Sequence, residues 1–381
     1  MQLPAGFRAH TANVGIKDET ADFAVIAADR SCSASAVFTK SRFAGPSVTL
    51  SRQHAADGTL QAVVVVSKNA NVATGPGGAA DARELAEGVA KAVGCTPDDV
   101  LVTSTGVIGR RYPMDRVRDH LAGMTPPDGS AIDPVARAMM TTDTHPKTAS
   151  ATAGAATVVG VAKGVGMIEP DMATMLAFLF TDAEIDQPEL DALFRSAVDR
   201  TFNCLSVDTD TSTSDTAAIL ASGAAGPVDR DALAAAVDAV CLDLTRQLAS
   251  DGEGAETLIV VTVDEARDDH QAKRVAKAIV NSPLVKTAVH GADPNWGRIA
   301  MAVGKCSDDT DIDQAAVTIR IGPQELYPSP AGEDELAALT EYLRGDEVRI
   351  HVSLGIAGGS STVYGCDLTD GYVRINADYT T

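Results

Sequence analysis

Residues 62–66 read Ala62-Val63-Val64-Val65-Val66, a short run in which every side chain is apolar and four are β-branched. A run of that length with no polar alternation is the pattern of a strand buried on both faces. From Asp81 onward, Ala82, Leu85, Ala86, Val89 and Ala92 recur at helical spacing along one stripe, and Gly94 is placed to stop that helix. Val100-Leu101-Val102 then supplies the next strand. Strand, helix and strand on short connections predict an α/β or α+β chain with layered sheets.

Working outward, the same signals repeat. Pro113 in a first turn, with Met114, Val117 and Leu121 as the apolar stripe, predicts a helix. Residues 156–162 read as a strand, as does Met175-Leu176-Ala177-Phe178-Leu179-Phe180, which is too short and too closely bounded by polar groups to cross a membrane. Asp186 is placed to cap a helix carrying Leu190, Leu193, Phe194, Ala197 and Val198. Helices are expected near 231–249, 269–281 and 333–344, alternating with strands at 257–263, 316–321, 348–354 and 361–366, and Val373 and Ile375 suggest a strand-like tail. There is neither a repeat nor a linker long enough to separate domains.

Composition narrows the function. In 381 residues, 31 Lys+Arg stand against 52 Asp+Glu, a formal charge of −21. Such a surface offers nothing overall to a phosphate backbone or an anionic membrane, so no nucleic-acid and no membrane partner is expected. Hydrophobic residues at 45% and charged residues at 22% are those of a globular protein with a sizeable core. The first twenty residues hold no apolar segment behind a basic start, and the cytoplasm is the expected compartment. Six scattered cysteines and seven dispersed histidines form no C-x-x-C or H-E-x-x-H, so neither a metal nor a cofactor is expected and the cysteines read as buried thiols.

Glycine-rich candidates fail on spacing. Gly75-Pro76-Gly77-Gly78 lacks the third glycine of a dinucleotide fingerprint, and no G-x-x-x-x-G-K-[ST] occurs. Asp208-Thr209-Asp210-Thr211-Ser212-Thr213-Ser214-Asp215 starts like a calcium loop, but Thr213 stands where the turn needs glycine and Ile219 where the bidentate Glu belongs. A turn built on side-chain to backbone hydrogen bonds is the expectation there. Asp308-Asp309-Thr310-Asp311 reads as a solvated acidic loop.

One segment carries chemistry: Lys163-Gly164-Val165-Gly166-Met167-Ile168-Glu169-Pro170-Asp171-Met172-Ala173-Thr174-Met175-Leu176. It is a glycine-loosened loop running into a buried strand that begins beside a threonine. A threonine at a chain start joins a hydroxyl nucleophile to its own α-amine, whose pKa near ~7.7–8.0 suits a general base. Inside a chain it has no such amine, so this chemistry requires cleavage of the Ala173–Thr174 bond. A threonine at a strand start is ordinary, and the residues alone leave both readings open.

The segment resembles the self-cleavage signature of the ornithine acetyltransferase (ArgJ) family, and the resemblance extends along the chain. It includes Gly6-Phe7, Gly15-Ile16-Lys17, Asn69-Ala70-Asn71, Ser104-Thr105-Gly106-Val107-Ile108-Gly109 and Thr141-Thr142-Asp143-Thr144. It continues through Asp208 to Thr213, Ser250-Asp251-Gly252-Glu253-Gly254-Ala255, Asp293-Pro294-Asn295-Trp296-Gly297-Arg298 and the ending Arg374 to Thr381. The closest likeness is to actinomycete members associated with clavulanic acid biosynthesis. Residues 67–75, Ser-Lys-Asn-Ala-Asn-Val-Ala-Thr-Gly, depart from the more usual N-S-G-N-A-N-A-C-T-G of the family.

The resemblance implies a layered αββα-type α/β sandwich of the N-terminal-nucleophile kind, cut into fragments 1–173 and 174–381 that assemble as α2β2. It implies Thr174 as nucleophile, with N-acetylornithine acylating its Oγ and glutamate's amine taking the acetyl group. Thr105 and Gly106 match the oxyanion hole, a hydroxyl and a backbone N–H of the kind that contribute about 2.7–4 kcal/mol per donor. Thr141, Lys163, Thr174, Glu253, Asn376 and Thr381 match the substrate contacts. A zwitterion with a second charged end needs both signs, which suits Lys163 to a carboxylate and Glu253 to the δ-ammonium. Transfer to water and a second donor, acetyl-CoA, are the alternatives. The Asp293–Arg298 segment is expected to be structural support.

Overall fold

The computed structural model describes residues 1–169 and 175–378. Strand β1 (Phe7–Ala12) and the long β2 (Phe23–Phe38) lead through α1 (Pro46–His54) to β3 (Thr59–Asn69), α2 (Gly75–Val93), β4 (Val100–Val107), α3 (Met114–Gly123) and α4 (Asp133–Met139). The hairpin β5 (Lys147–Ala153) and β6 (Ala156–Lys163) follows. Next come β7 (Leu176–Glu184), α5 (Gln187–Arg200), β8 (Thr216–Pro227), α6 (Arg230–Ser250), β9 (Leu258–Ala266), α7 (Asp269–Val280), α8 (Pro283–His290) and α9 (Trp296–Gly304). The chain ends with β10 (Thr318–Ile321), β11 (Gln324–Tyr327), α10 (Glu333–Leu343), β12 (Glu347–Ser353), β13 (Gly359–Cys366) and α11 (Asp370–Asp378).

These strands form two sheets, so the chain is the layered, mixed α/β protein that the sequence implied. The larger sheet runs β4-β3-β2-β8-β7-β6-β5, with β1 on β2, and is antiparallel except at β3/β4 and β7/β8. The smaller runs β11-β10-β12-β9-β13, with only β9/β12 parallel.

Strand β7 shows why its residues form the centre. Leu176, Phe178 and Phe180 join Val159, Val161 and Leu220 in one apolar layer. Ala177 and Leu179 join Ala217, Ile219 and the apolar stripes of α5 and α6 in another. Both faces are dry, which is why the run lacks polar alternation. Truncating either phenylalanine to alanine would cost about 3–5 kcal/mol. Helix α6 packs on β5 and β6 and reaches β9 and β13, while α7 packs on β9 and β13, so α6 links the two sheets.

Most predicted elements stand within a few residues of their sequence bounds. Three readings need correction. Asp186 occupies the N-cap position of α5 without a side-chain bond, and the capping side chains are Asp229, Asp268 and Ser282. The tail at Val373 and Ile375 is helix α11: Asp370 and Arg374 pair one turn apart at 2.6 Å, and both apolar residues are exposed. Asp309 is not solvated. It is buried and accepts from Arg267 and Arg274, which lie on and before α7.

Two local expectations hold. Asp208 accepts the backbone N–H groups of Met167, Ile168 and Asp210, as a side-chain-built turn should. Trp296 stacks on Tyr327 at 5.3 Å between ring centres, a supporting contact. Four of the six cysteines are buried and all six are free.

Candidate active site

The ends of β4 and β6, the 141–144 loop, the 208–215 segment, the turn after α6 and helix α11 converge on a cavity of about 150 Å³. Its walls include Thr105, Gly106, Thr141, Lys163, Glu253 and Asn376, so residues from five separate places in the sequence meet. The remaining sequence-predicted residues, Ala173, Thr174 and Thr381, lie outside the described residues. Met175 and Leu176, which directly follow Thr174 in the chain, line the cavity.

Thr105 and Gly106 sit at the last rungs of the parallel β3/β4 ladder, opposite Ser67 and Lys68. Gly106 has φ 130°, and a Cβ there would fall 2.2 Å from the carbonyl carbon of Lys68. Only glycine lets β4 approach β3 this closely at the cavity wall.

Lys163 ends β6, paired with Leu176, and is buried. Burial lowers its pKa, while Asp143, Asp215 and Glu253 draw it back up and Lys147 opposes them. Asp143 shows the complement. Burial alone would raise its carboxyl, but Lys163, Lys147 and the N–H of Gly164 hold it down to about 2. A carboxylate that stays ionised beside a desolvated lysine keeps that lysine useful as an anion receptor.

Glu253 is fixed from three sides. Its N–H donates to the Val165 carbonyl at 2.8 Å, Thr142 Oγ1 donates to its Oε1 at 3.1 Å, and Asn376 Nδ2 donates to its Oε2 at 2.8 Å. Asn376 reaches it because α11 docks on the turn after α6. Thr369 Oγ1 donates to the Gly254 carbonyl at 2.6 Å, and a Cβ on Gly254 (φ 70°) would strike the Tyr372 nitrogen at 2.4 Å. Tyr372, one helical turn before Asn376, also lines the cavity. Burial, together with Asp208, Glu253 and Asp210, pushes its hydroxyl up to about 12, so it stays a hydrogen-bond donor at neutral pH.

The cavity holds further groups that sequence reasoning did not single out. Asp215 is fully buried, its pKa is raised well above the ordinary carboxylate range by desolvation, and its Oδ2 has no hydrogen-bond partner among the described residues. With Asp208, Asp210 and Glu253 it makes the lining strongly acidic around Lys163. No periodicity marks such residues, because what makes them functional is a partner far away in sequence. Among the described residues, Glu256, His290 and Asp367 bring three possible metal-binding atoms within 4.8 Å. None of them lines the cavity, and the imidazole Nδ1 lies 3.2 Å from Asp367 Oδ2, within hydrogen-bond reach.

A buried ammonium and a fixed carboxylate on the walls of one cavity, with Thr105 and Gly106 lining it as well, offer both signs of charge to a zwitterionic molecule. The chain is an acyltransferase. It belongs to the ArgJ family, whose model matches residues 8–381. It is 58% identical to the glutamate N-acetyltransferase Oat2 of Streptomyces clavuligerus, across all of this chain and 98% of that one. It is 54% identical to the arginine biosynthesis bifunctional protein ArgJ 2 of a Nostoc strain, across 99% of this chain and 98% of the relative. Among solved structures, the arginine biosynthesis bifunctional protein ArgJ of Bacillus halodurans aligns with a TM-score of 0.52 and 44% identity, over 54% of this chain and 100% of that one.

Proposed function

We propose that this enzyme is a glutamate N-acetyltransferase that takes acetyl from N2-acetylornithine through an acetyl-Thr174 ester, after self-cleavage between Ala173 and Thr174. The carrying observation is the single cavity that gathers Thr105, Gly106, Thr141, Lys163, Glu253 and Asn376 next to Met175. In the first half-reaction Thr174 Oγ bonds to the acetyl carbon, the amide C–N bond breaks, and ornithine leaves with the hydroxyl's proton passed on through the α-amine of Thr174. In the second, glutamate's amine attacks the ester, the C–O bond breaks and Oγ regains a proton. Lys163 takes a substrate carboxylate, Glu253 with Asn376 takes the δ-ammonium, and Thr105 with the Gly106 N–H faces the oxyanion.

The name of the S. clavuligerus relative, glutamate N-acetyltransferase, supports the acetyl-transfer part of this reading.

On a denaturing gel the purified protein should give bands near 18 and 21 kDa, scaling 39.3 kDa by length. Thr174→Ala should give one uncut band and no acetyl transfer, and an uncut variant that stays active would overturn the proposal. We extend it to an α2β2 assembly, to be checked by light scattering of the cleaved enzyme.

The relatives named as bifunctional favour a second reading, in which acetyl-CoA also serves as donor. Initial rates with acetylornithine and with acetyl-CoA, each with glutamate as acceptor, separate the two.

A further inference from the structure

Behind the cavity lies a charge cluster that does not itself line it. The Lys147 ammonium, with none of its side chain exposed, donates to Asp143 Oδ1 at 2.9 Å, to Asp251 Oδ2 at 2.5 Å and to the His145 carbonyl at 3.4 Å. Each aspartate also holds the chain beside the cavity, and Asp251 Oδ1 lies 3.3 Å from Nδ1 of the half-exposed His145. Asp143 accepts from the N–H of Thr141 at 3.0 Å and from that of Gly164 at 2.7 Å. Asp251 accepts from the N–H of Thr144 at 3.1 Å and from its hydroxyl. Asp251 also closes α6, two residues before Glu253, at a helix C-terminus where a carboxylate is unfavourable unless neutralised.

Three segments distant in sequence are thereby tied to one ammonium: the loop of Thr141, the β6 end of Lys163 and Gly164, and the turn of Glu253. A buried ion cluster is a poor source of stability, since apolar residues of the same volume serve as well or better. What apolar residues lack is acceptors for the N–H groups of Thr141, Thr144 and Gly164.

We propose that Lys147 is a positioning residue, which acts through Asp143 and Asp251 to set the spacing between Thr141, Lys163 and Glu253 and so the fit of the substrate's charged ends. The proposal rests on the acetyl-transfer reading for its kinetic arm only.

The test compares the wild-type enzyme, Lys147→Met, and the double variant Lys147→Met with Asp251→Asn, which leaves no surplus buried carboxylate. Amide hydrogen exchange should speed up by about tenfold or more at residues 141–144 and 164 in both variants, with β7 and β8 unchanged. In the double variant, thermal stability should recover while KM for acetylornithine stays raised by about tenfold or more and kcat changes less. Unchanged exchange at those amides, or a double variant that recovers stability and KM together, overturns the positioning role and makes the cluster merely structural. Wild-type enzyme that fails to move acetyl from acetylornithine to glutamate sinks the acetyl-transfer reading instead, while the exchange data still decide the role of Lys147.

Discussion

Lys147 meets Asp143 and Asp251 with none of its side chain exposed, whereas Arg267 and Arg274 meet Asp309 with 46% and 53% of theirs in solvent. Both clusters join segments far apart in the chain. The half-exposed arginines fix the approach to α7 against the loop at 308–311, and on their side of each contact with the buried Asp309 water and salt compete. In the buried cluster the ammonium and both carboxylates are shielded from solvent, and the exposed His145 reaches only one oxygen, Asp251 Oδ1, so the geometry beside the cavity follows from a few fixed partners. Charge pairing of the same kind is thus a loose fastening at one place and part of the site's construction at the other.

The strongest way to break this contrast is to remove a buried partner. Asp251→Ala leaves the ammonium of Lys147 with one carboxylate and strands the N–H of Thr144, and urea unfolding should show a loss of about 3–5 kcal/mol. A loss below about 1 kcal/mol would put the two clusters in the same class.

Acid sharpens the contrast with a smaller effect. The carboxyl of Asp143 titrates near 2 in the folded chain against 3.8 unfolded, so the folded state binds fewer protons in that interval. Its contribution is fully present above pH 3.8 and drains away as pH falls toward 2, on the order of 2 kcal/mol. The stability difference between wild type and Asp143→Asn should therefore shrink between pH 5 and pH 2.5. A difference that stays constant over that range would mean that the carboxylate gains nothing from Lys163 and Lys147.

The smallest effect belongs to the surface. Arg267→Ala should cost at most about 1 kcal/mol, and most of that should vanish in 1 M salt, where screening acts within about 3 Å. A larger, salt-insensitive loss would show that the solvated cluster is built like the buried one.

Much of the architecture was legible because burial leaves a periodic trace. The apolar run at 62–66 became β3, and the stripe from Ala82 to Val89 became the buried face of α2. Strand β2 was missed because its sixteen residues include Asp29, Arg30 and Ser31 in the middle, where the pairing with β3 is irregular and the side chains are exposed. Helix α11 was misread because Val373 and Ile375 alternate over too few residues to outweigh the Asp370–Arg374 pair and the i, i+4 spacing of Tyr372 and Asn376.

In the site, motif likeness singled out Thr105, Gly106, Thr141, Lys163, Glu253 and Asn376, and all six line the cavity. Composition and spacing gave no role to Lys147 or Asp251, whose contacts span 104 residues to one another and 107 from Asp251 to Thr144, and offered Asp215 only as the end of a failed calcium loop.

The strand order β2-β8-β7-β6 carries one more consequence. Residues before the proposed cut supply β2 and β6, and residues after it supply β8 and β7, so the later pair is wedged between the earlier two. Neither piece can close the central sheet without the other, and the hairpin of β5 and β6 has no neighbour in its own piece. A cut at that point would therefore follow folding of the intact chain. The resulting pair of polypeptides should melt in one cooperative step, and genes expressing each piece separately should yield insoluble material that becomes functional only when both are made together.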